Sequence, residues 1–178
     1  MTEINGVQAM QEALIEELKN DEKVLLMGES ILGGSFGLTT GLSKQFGRER
    51  VVDTPISETA IAGSAVGMAT CGYRPVVDFM FSDFMFVAAD EIMLKAAQWR
   101  FLHGGTQQVP LVYLGCVGGG MKLGNEHSQM MGAYMAHTPG LKVVFPSTPY
   151  NAKGLLKTAI RDNNPVVFLW HLGLLAIS

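Results

Sequence analysis

Charge is scarce in this chain. Only 16% of its 178 residues are Asp, Glu, Lys or Arg, while 48% are hydrophobic, against about a quarter charged in an ordinary soluble domain. So little charge implies more apolar surface than one small monomer buries, and an oligomer interface is expected. There is no basic excess either: a net charge of -3 gives no reason to expect nucleic acid or an anionic membrane as a partner. Cysteine is nearly missing. Cys71 and Cys116 form no CxxC pair, so two buried thiols in a reduced compartment are expected rather than a metal or redox site. No apolar run approaches the ~18 residues of a membrane span. No basic region leads into an apolar stretch and a small-residue cleavage site at the N-terminus, so no signal peptide is expected and a cytoplasmic protein is the default. His103, His127, His137 and His171 stand too far apart for a zinc cluster of ordinary spacing. Gly-Lys-Ser/Thr is absent, which excludes a P-loop, and Gly33 to Gly37 lacks the spacing of a dinucleotide fingerprint. A plain connecting loop is expected there.

What remains is an alternation of strand-length and helix-length segments. Val7, Met10, Leu14 and Leu18 fall three and four apart and predict an opening helix. Val24 to Met27 reads as a buried strand. Thr39 or Thr40 is expected to cap a short helix carrying Leu42 and Phe46, before a strand at Val51-Val52. Ser57 is the expected N-cap of a helix from about Glu58 to Cys71. A strand follows from Pro75 to Phe79, a helix over 86–101, and a strand from Leu111 to Leu114. A glycine-rich loop leads to a helix after Ser128 and a strand at Val143 to Phe145. Thr148 caps a helix with Pro149 in its first turn, and Val166 to Leu169 closes the series. Continuously apolar strands separated by helices predict an α/β fold, a doubly wound, mostly parallel sheet covered on both faces, in a single domain. Ligands of such sheets sit at the carboxyl ends of the strands, which directs attention to Gly28-Glu29, 53–58, 80–84 and 115–129.

Two features stand out there. A loop as long as Gly115 to Gln129 between strand and helix is uncommon unless functional, and His127 lies on it just before a helix. His137 reads as a helix-end residue favoured by the dipole. Glu58 opens an Ala/Gly-rich helix. It is either a glutamate stabilised by the helix N-terminus or, if Ile56, Ala60 and Ile61 help to bury it, an acid with a raised pKa suited to proton transfer. The residues themselves leave both readings open.

DTPISETAIAGSAVGMATCGYRPVVDFMFSDF (53–84), EHSQMMG to NNPVVFL (126–169) and GES…GGSFG together resemble the beta subunits of thiamine-diphosphate-dependent 2-oxo acid dehydrogenases, over residues 5–169. The resemblance implies the pyrimidine-binding, transketolase-like domain of that family. In it Glu58 touches the aminopyrimidine nitrogen of thiamine diphosphate and promotes the imino tautomer through a charge-assisted hydrogen bond, while the carbanion chemistry belongs to the cofactor. Phe84 packs against the pyrimidine, Ile56 and Met80 add contacts, and Glu29 shares a proton network with Glu58. His127 orients the substrate or the cofactor-bound intermediate and handles protons. A structural potassium ion, held by backbone oxygens, falls on Leu111, Ala159, Asp162 and Asn164. The implied reaction is oxidative decarboxylation of pyruvate or a related small 2-oxo acid, or acetoin cleavage, with acyl transfer to the lipoyl-bearing acyltransferase of a complex. Ser30 replaces the acid that follows Gly-Glu in the family, and Gly115 to Glu126 departs from the family loop. The family chain continues for another domain of about 150 residues. This sequence stops after the tail His171 to Ser178, which implies a truncated chain or a separately encoded half-subunit. The family's magnesium motif, Gly-Asp-Gly, is missing. The magnesium and diphosphate pocket is therefore expected from a partner alpha subunit in an α2β2 assembly. Two other readings compete: a non-catalytic assembly domain that keeps the fold, and an α/β nucleotide-binding oxidoreductase, which the missing fingerprint disfavours.

Overall fold

The computed structural model describes residues 4–173, apart from the side chain of Ser35; residues 1–3 and 174–178, including most of the tail noted above, lie outside the described residues. Six strands form one sheet: β1 (Val24–Glu29), β2 (Val51–Thr54), β3 (Arg74–Phe81), β4 (Val112–Val117), β5 (Lys142–Val144) and β6 (Val166–His171). Their order is β2-β1-β3-β4-β6-β5 and every neighbouring pair is parallel. This is the α/β architecture that the apolar strands predict.

Each face of the sheet has its own core. On one, Val24, Leu26, Val76, Val112, Leu114, Val166 and Phe168 pack beneath α1 (Gly6–Asn20) and α6 (Pro149–Arg161). On the other, Leu25, Met27, Val77, Phe79, Tyr113 and Val167 pack beneath α3 (Glu58–Thr70) and a π-helical segment, Asp90–Ala96. The first residues of α1 form a capping box between Asn5 and Gln8, and Thr148 caps α6 through the amide of Asn151.

Charges join α1 to α6 above the first core. Lys153 bridges Glu12 and Glu16, Lys157 pairs with Glu16, and Arg161 Nε and Nη2 donate to Glu17 at 2.8 and 2.6 Å. Lys153 and Lys157 hold the Glu16 carboxyl down at about 2. These pairs differ in burial. Glu17 is only 3% exposed, so losing Arg161 leaves its buried charge with Lys157 alone, 4.0 Å away, whereas Lys153 serves half-exposed acids. Arg161→Ala is expected to cost about 2 kcal/mol of stability and Lys153→Ala under about 1 kcal/mol, measured by urea denaturation; equal costs would show that burial of Glu17 is immaterial.

Four local expectations need correction. The helix expected over 86–101 is instead the π-helical segment and a short α4 (Trp99–Leu102), preceded by a 3-10 turn (Ser82–Phe86). The wider turn, with Ala97 N–H donating to Ile92 O, brings Ala96 and Ala97 both to the core. Ser57 is the N-cap of α3 as expected but makes no side-chain capping bond, its ψ of 63° lying outside the extended backbone usual for a cap. Thr39 donates instead to the buried carbonyl of Ile31, and Gly41, at φ 78°, opens α2 (Leu42–Phe46). Only Cys116 is buried; Cys71 ends α3 and is exposed.

Candidate functional site

The connection leaving β1 runs outward to β2, and the next returns past β1 to β3. The switch point of the sheet therefore lies between the carboxyl ends of β1 and β3, where a doubly wound sheet opens a crevice. Glu29 is the last residue of β1, and Glu58 is the first of α3. The backbones of β1 and β3 come very close here: a Cβ on Gly28 would stand 2.3 Å from the carbonyl oxygen of Asp78.

Three carboxyls crowd this crevice. Glu29 has one buried oxygen, Oε2, with no hydrogen-bond partner. Burial, and then the charge of Glu58, push its pKa up. Glu58, like Glu29, is half-buried. Asp78, 4% exposed, is pushed up to about 6 by burial, with a smaller contribution from Glu29. Burial, Asp78 and Asp83 also raise the Cys116 thiol to about 12, so Cys116 is a packing residue rather than a nucleophile.

Burial makes Asp78 hold its proton in the folded state. The native state holds this proton more tightly than the unfolded chain, so stability falls as pH rises from about 4 to about 6 and stays lowered above. At full ionisation the loss is on the order of 3 kcal/mol. Asp78→Asn is expected to raise the melting temperature at pH 7 and to flatten the pH dependence across that window. A variant no more stable than the parent at pH 7 would contradict this.

An aromatic wall stands beside the carboxyls. Phe84, on the 3-10 turn after β3, meets His127 edge to face at 5.3 Å, and Phe81 meets it at 4.7 Å. Phe81 also contacts Phe36 at 5.3 Å, and Phe36 contacts Trp170 at 5.7 Å. The segment read as a plain loop thus delivers a ring, Phe36 at φ 54°, to this wall.

His127 is placed by its loop. Asp83 Oδ1 accepts the amide of Gln129 at 3.0 Å. A Cβ on Gly118 would lie 1.9 Å from the carbonyl oxygen of His127. Gly173 N–H donates to His171 Nδ1, so the ring proton of His171 sits on Nε2 and donates to the carbonyl of Gly119 at 2.9 Å. Ser82 Oγ, Asp83 Oδ2 and Ser128 Oγ are buried without partners.

Of the residues singled out from sequence, Glu29, Glu58, Met80, Phe84 and His127 gather at this end of the sheet. Ile56, on the loop between β2 and α3, is 77% exposed. His137 ends α5 (Gly132–Ala136), the role expected of it. Leu111, Ala159, Asp162 and Asn164 lie at the opposite end, around the start of β4, the end of α6 and the start of β6. There the carbonyls of Leu111 and Ala159 accept from Val166 and Asp162, and that of Asp162 accepts from Arg74. Among the described residues, no group of three or more His, Cys, Asp or Glu is placed to hold a metal ion, and no helix is long and apolar enough to cross a membrane. Phe81, Asp83 and Gly118 lie in the stretches 80–84 and 115–129 marked out from sequence but were given no role there, and Asp78 and His171 lay outside them; all five make their contacts through register and loop packing.

Residues 2–176 match the family model described as transketolase, pyrimidine binding domain. The chain is 47% identical over 174 residues to a pyruvate dehydrogenase E1 component subunit beta of Gracilaria tenuistipitata var. liui, covering 97% of this chain and 54% of that protein. It is 44% identical over 182 residues to an acetoin:2,6-dichlorophenolindophenol oxidoreductase subunit beta of Cupriavidus necator, covering 96% and 54%. The chain thus spans about half the length of these curated relatives. Among solved structures, its fold superimposes on a split gene transketolase, described as an inactive beta4 tetramer, with a TM-score of 0.77 at 20% identity, over 96% of this chain and 52% of that one. The transketolase from Leishmania mexicana also gives 0.77, at 18% identity, over 97% and 26%. With a parallel sheet, an acid pair at its switch point and a family match along almost its whole length, the chain belongs to the transketolase pyrimidine-binding domain family.

Proposed function

We propose that this chain is the pyrimidine-side part of the beta subunit of a thiamine-diphosphate-dependent 2-oxo acid dehydrogenase, acting on pyruvate or a related 2-oxo acid, or on acetoin. The observation that carries the reading is the Glu29–Glu58 pair at the switch point, beside Met80, Phe84 and His127, in a chain so similar to two beta subunits of this kind. The donor set suits an aminopyrimidine: a carboxyl to share a proton with a ring nitrogen, a second desolvated carboxyl behind it, and rings to pack against its faces.

When bound, thiamine diphosphate supplies the carbanion chemistry. Glu58 holds a proton at the pyrimidine nitrogen. Glu29, with its raised pKa and orphaned oxygen, shares charge with Glu58 so that both need not ionise at once. Phe84 and Met80 position the ring, and His127, held between Phe81 and Phe84, presents its imidazole to the substrate.

The same residues do not suit the diphosphate or its magnesium, and a partner alpha subunit in an α2β2 assembly supplies that half. An exposed apolar surface supports a shared site: Ile56, Val87, Phe86 and Tyr134 are 77, 59, 42 and 57% exposed, with the rings of Phe86 and Tyr134 5.1 Å apart. Acyl transfer to a lipoyl domain and a potassium ion at Leu111, Ala159, Asp162 and Asn164 rest on the family resemblance. The three hydrogen-bonded carbonyls there each retain a second lone pair for a cation, and no step depends on it. Both cysteines are free, in keeping with a reducing, cytoplasmic setting.

The test is co-expression with a candidate alpha subunit, followed by thiamine-diphosphate binding with magnesium and 2-oxo-acid- or acetoin-dependent reduction of an artificial acceptor. Binding and turnover only in the complex are expected. Tight binding by the isolated chain would defeat the shared site, and a folded complex without turnover would favour a non-catalytic assembly domain.

A further inference from the structure

The end of β3 carries an irregularity on which the aromatic wall depends. In a regular strand alternate residues share a face, so Val77, Phe79 and Phe81 would lie together. Val77 and Phe79 do pack into the α3-side core, but Phe81 packs into the opposite core, with Val76. The pairing with β4 gives the reason. Val76, Val77 and Asp78 face Val112, Tyr113 and Leu114 in step, and then Cys116 faces Phe81, so three steps on β3 match two on β4. One residue is extra, and such a bulge sends every later side chain to the other face. Met80 stands outside this register and has a φ of 60°, a left-handed conformation unfavourable for a residue with a side chain. Its amide donates to Oδ1 of Asp78 at 2.9 Å. Asp78 is buried, and Phe81 beyond it reaches Phe36 and His127.

We propose that Asp78 is a positioning residue for the cofactor pocket: by capturing the Met80 amide it holds Met80 left-handed, and the resulting bulge turns Phe81 toward His127. Without the bulge, Met80 would face Cys116 and Phe81 would return to the side of Val77 and Phe79. The aromatic wall would then lose the ring that joins Phe36 to His127. An apolar side chain at this position would offer the Met80 amide no acceptor. The consequence for the cofactor rests on the pyrimidine-site reading above; the control of the bulge does not.

The test uses the full chain assembled with its partner, with thiamine diphosphate and magnesium as the titrated probe. Asp78→Ala is expected to weaken binding about 10- to 100-fold, the scale of a misplaced site, and Asp78→Asn, which keeps the acceptor, to restore most of it. In a Met80→Gly background, where the left-handed backbone is unstrained, Asp78→Ala should cost less than about threefold more, a coupling that independent residues do not show. Near-UV circular dichroism of the chain alone gives a readout free of the cofactor, because Phe36 links Phe81 to Trp170. Asp78→Ala should change this spectrum and Asp78→Asn should preserve it. If the parent complex binds no cofactor, the pyrimidine reading fails, and an altered Asp78→Ala spectrum still supports control of the bulge. If the parent binds and Asp78→Ala binds equally well with an unchanged spectrum, the proposal is overturned. Equal losses in both Met80 backgrounds overturn it too. Should Asp78→Ala fail to fold, recovery by added Met80→Gly supports the proposal, and failure of both forms counts against it.

Discussion

Glu58→Gln is expected to cut turnover of the assembled enzyme by at least ~100-fold, the scale of lost acid–base assistance. Glutamine keeps the size of the side chain and a carbonyl oxygen but cannot share a proton with a pyrimidine nitrogen. Glu58 is half-buried at the start of α3, so the fold should survive the change. Burial and the charge of Glu58 raise Glu29; removing that charge relieves Glu29, whose pKa should move down toward the ordinary carboxylate range. Two measurements are needed: steady-state turnover with an artificial acceptor, and the acid limb of the pH–rate profile. Turnover unchanged from the parent would remove Glu58 from the mechanism, whatever the family match.

Gly118→Ala is expected to lower turnover by about 10- to 100-fold, the range for a reacting group displaced by about 1 Å, without replacing any titratable side chain. The added Cβ would sit 1.9 Å from the carbonyl oxygen of His127 and 3.4 Å from the Phe81 ring. Backbone cannot yield as a flexible side chain does, so the loop must move, and His127 with it. Gly119 is the control next door, since its nearest atoms would be 3.8 Å away, an ordinary contact. Gly119→Ala should stay within about threefold of the parent, because the space it needs is already open. Measuring kcat and KM for both separates the cases: a shared modest loss would mean that loop flexibility, and not the position of His127, limits the reaction.

Much of the architecture was legible from residue patterns. Val24 to Met27, Val76-Val77, Leu111 to Leu114 and Val166 to Leu169 are apolar on both sides because a central parallel strand is covered on both faces, and that requirement is local. The helix at Glu58 and the Thr148-Pro149 start were legible for the same reason. The region after Phe81 was not. A period of 3.6 over 86–101 cannot distinguish one α-helix from a π turn and a short α4, because the choice depends on how Ala96 and Ala97 meet a core built by other segments.

Glu58 shows where the division falls in the site. From sequence it was a helix-start acid, and the long resemblance supplied a cofactor contact for it. Its pairing with Glu29 needs β1 and the β2–α3 loop brought to one switch point, which only strand order determines. Met80 and Phe84 were legible as residues near a strand end, yet the side on which Phe81 emerges depends on one extra residue in β3, held by a carboxyl two positions back. His127 was legible as a histidine on a long glycine loop, but its place between two rings depends on Gly118, Asp83 and His171, residues up to 44 positions from it. Which segments become strands and helices was fixed locally, because burial and periodicity act along neighbouring residues. Which carboxyl raises the pKa of which, and which ring meets the imidazole, were settled only in three dimensions, because those outcomes turn on register and on contacts between segments far apart in the chain.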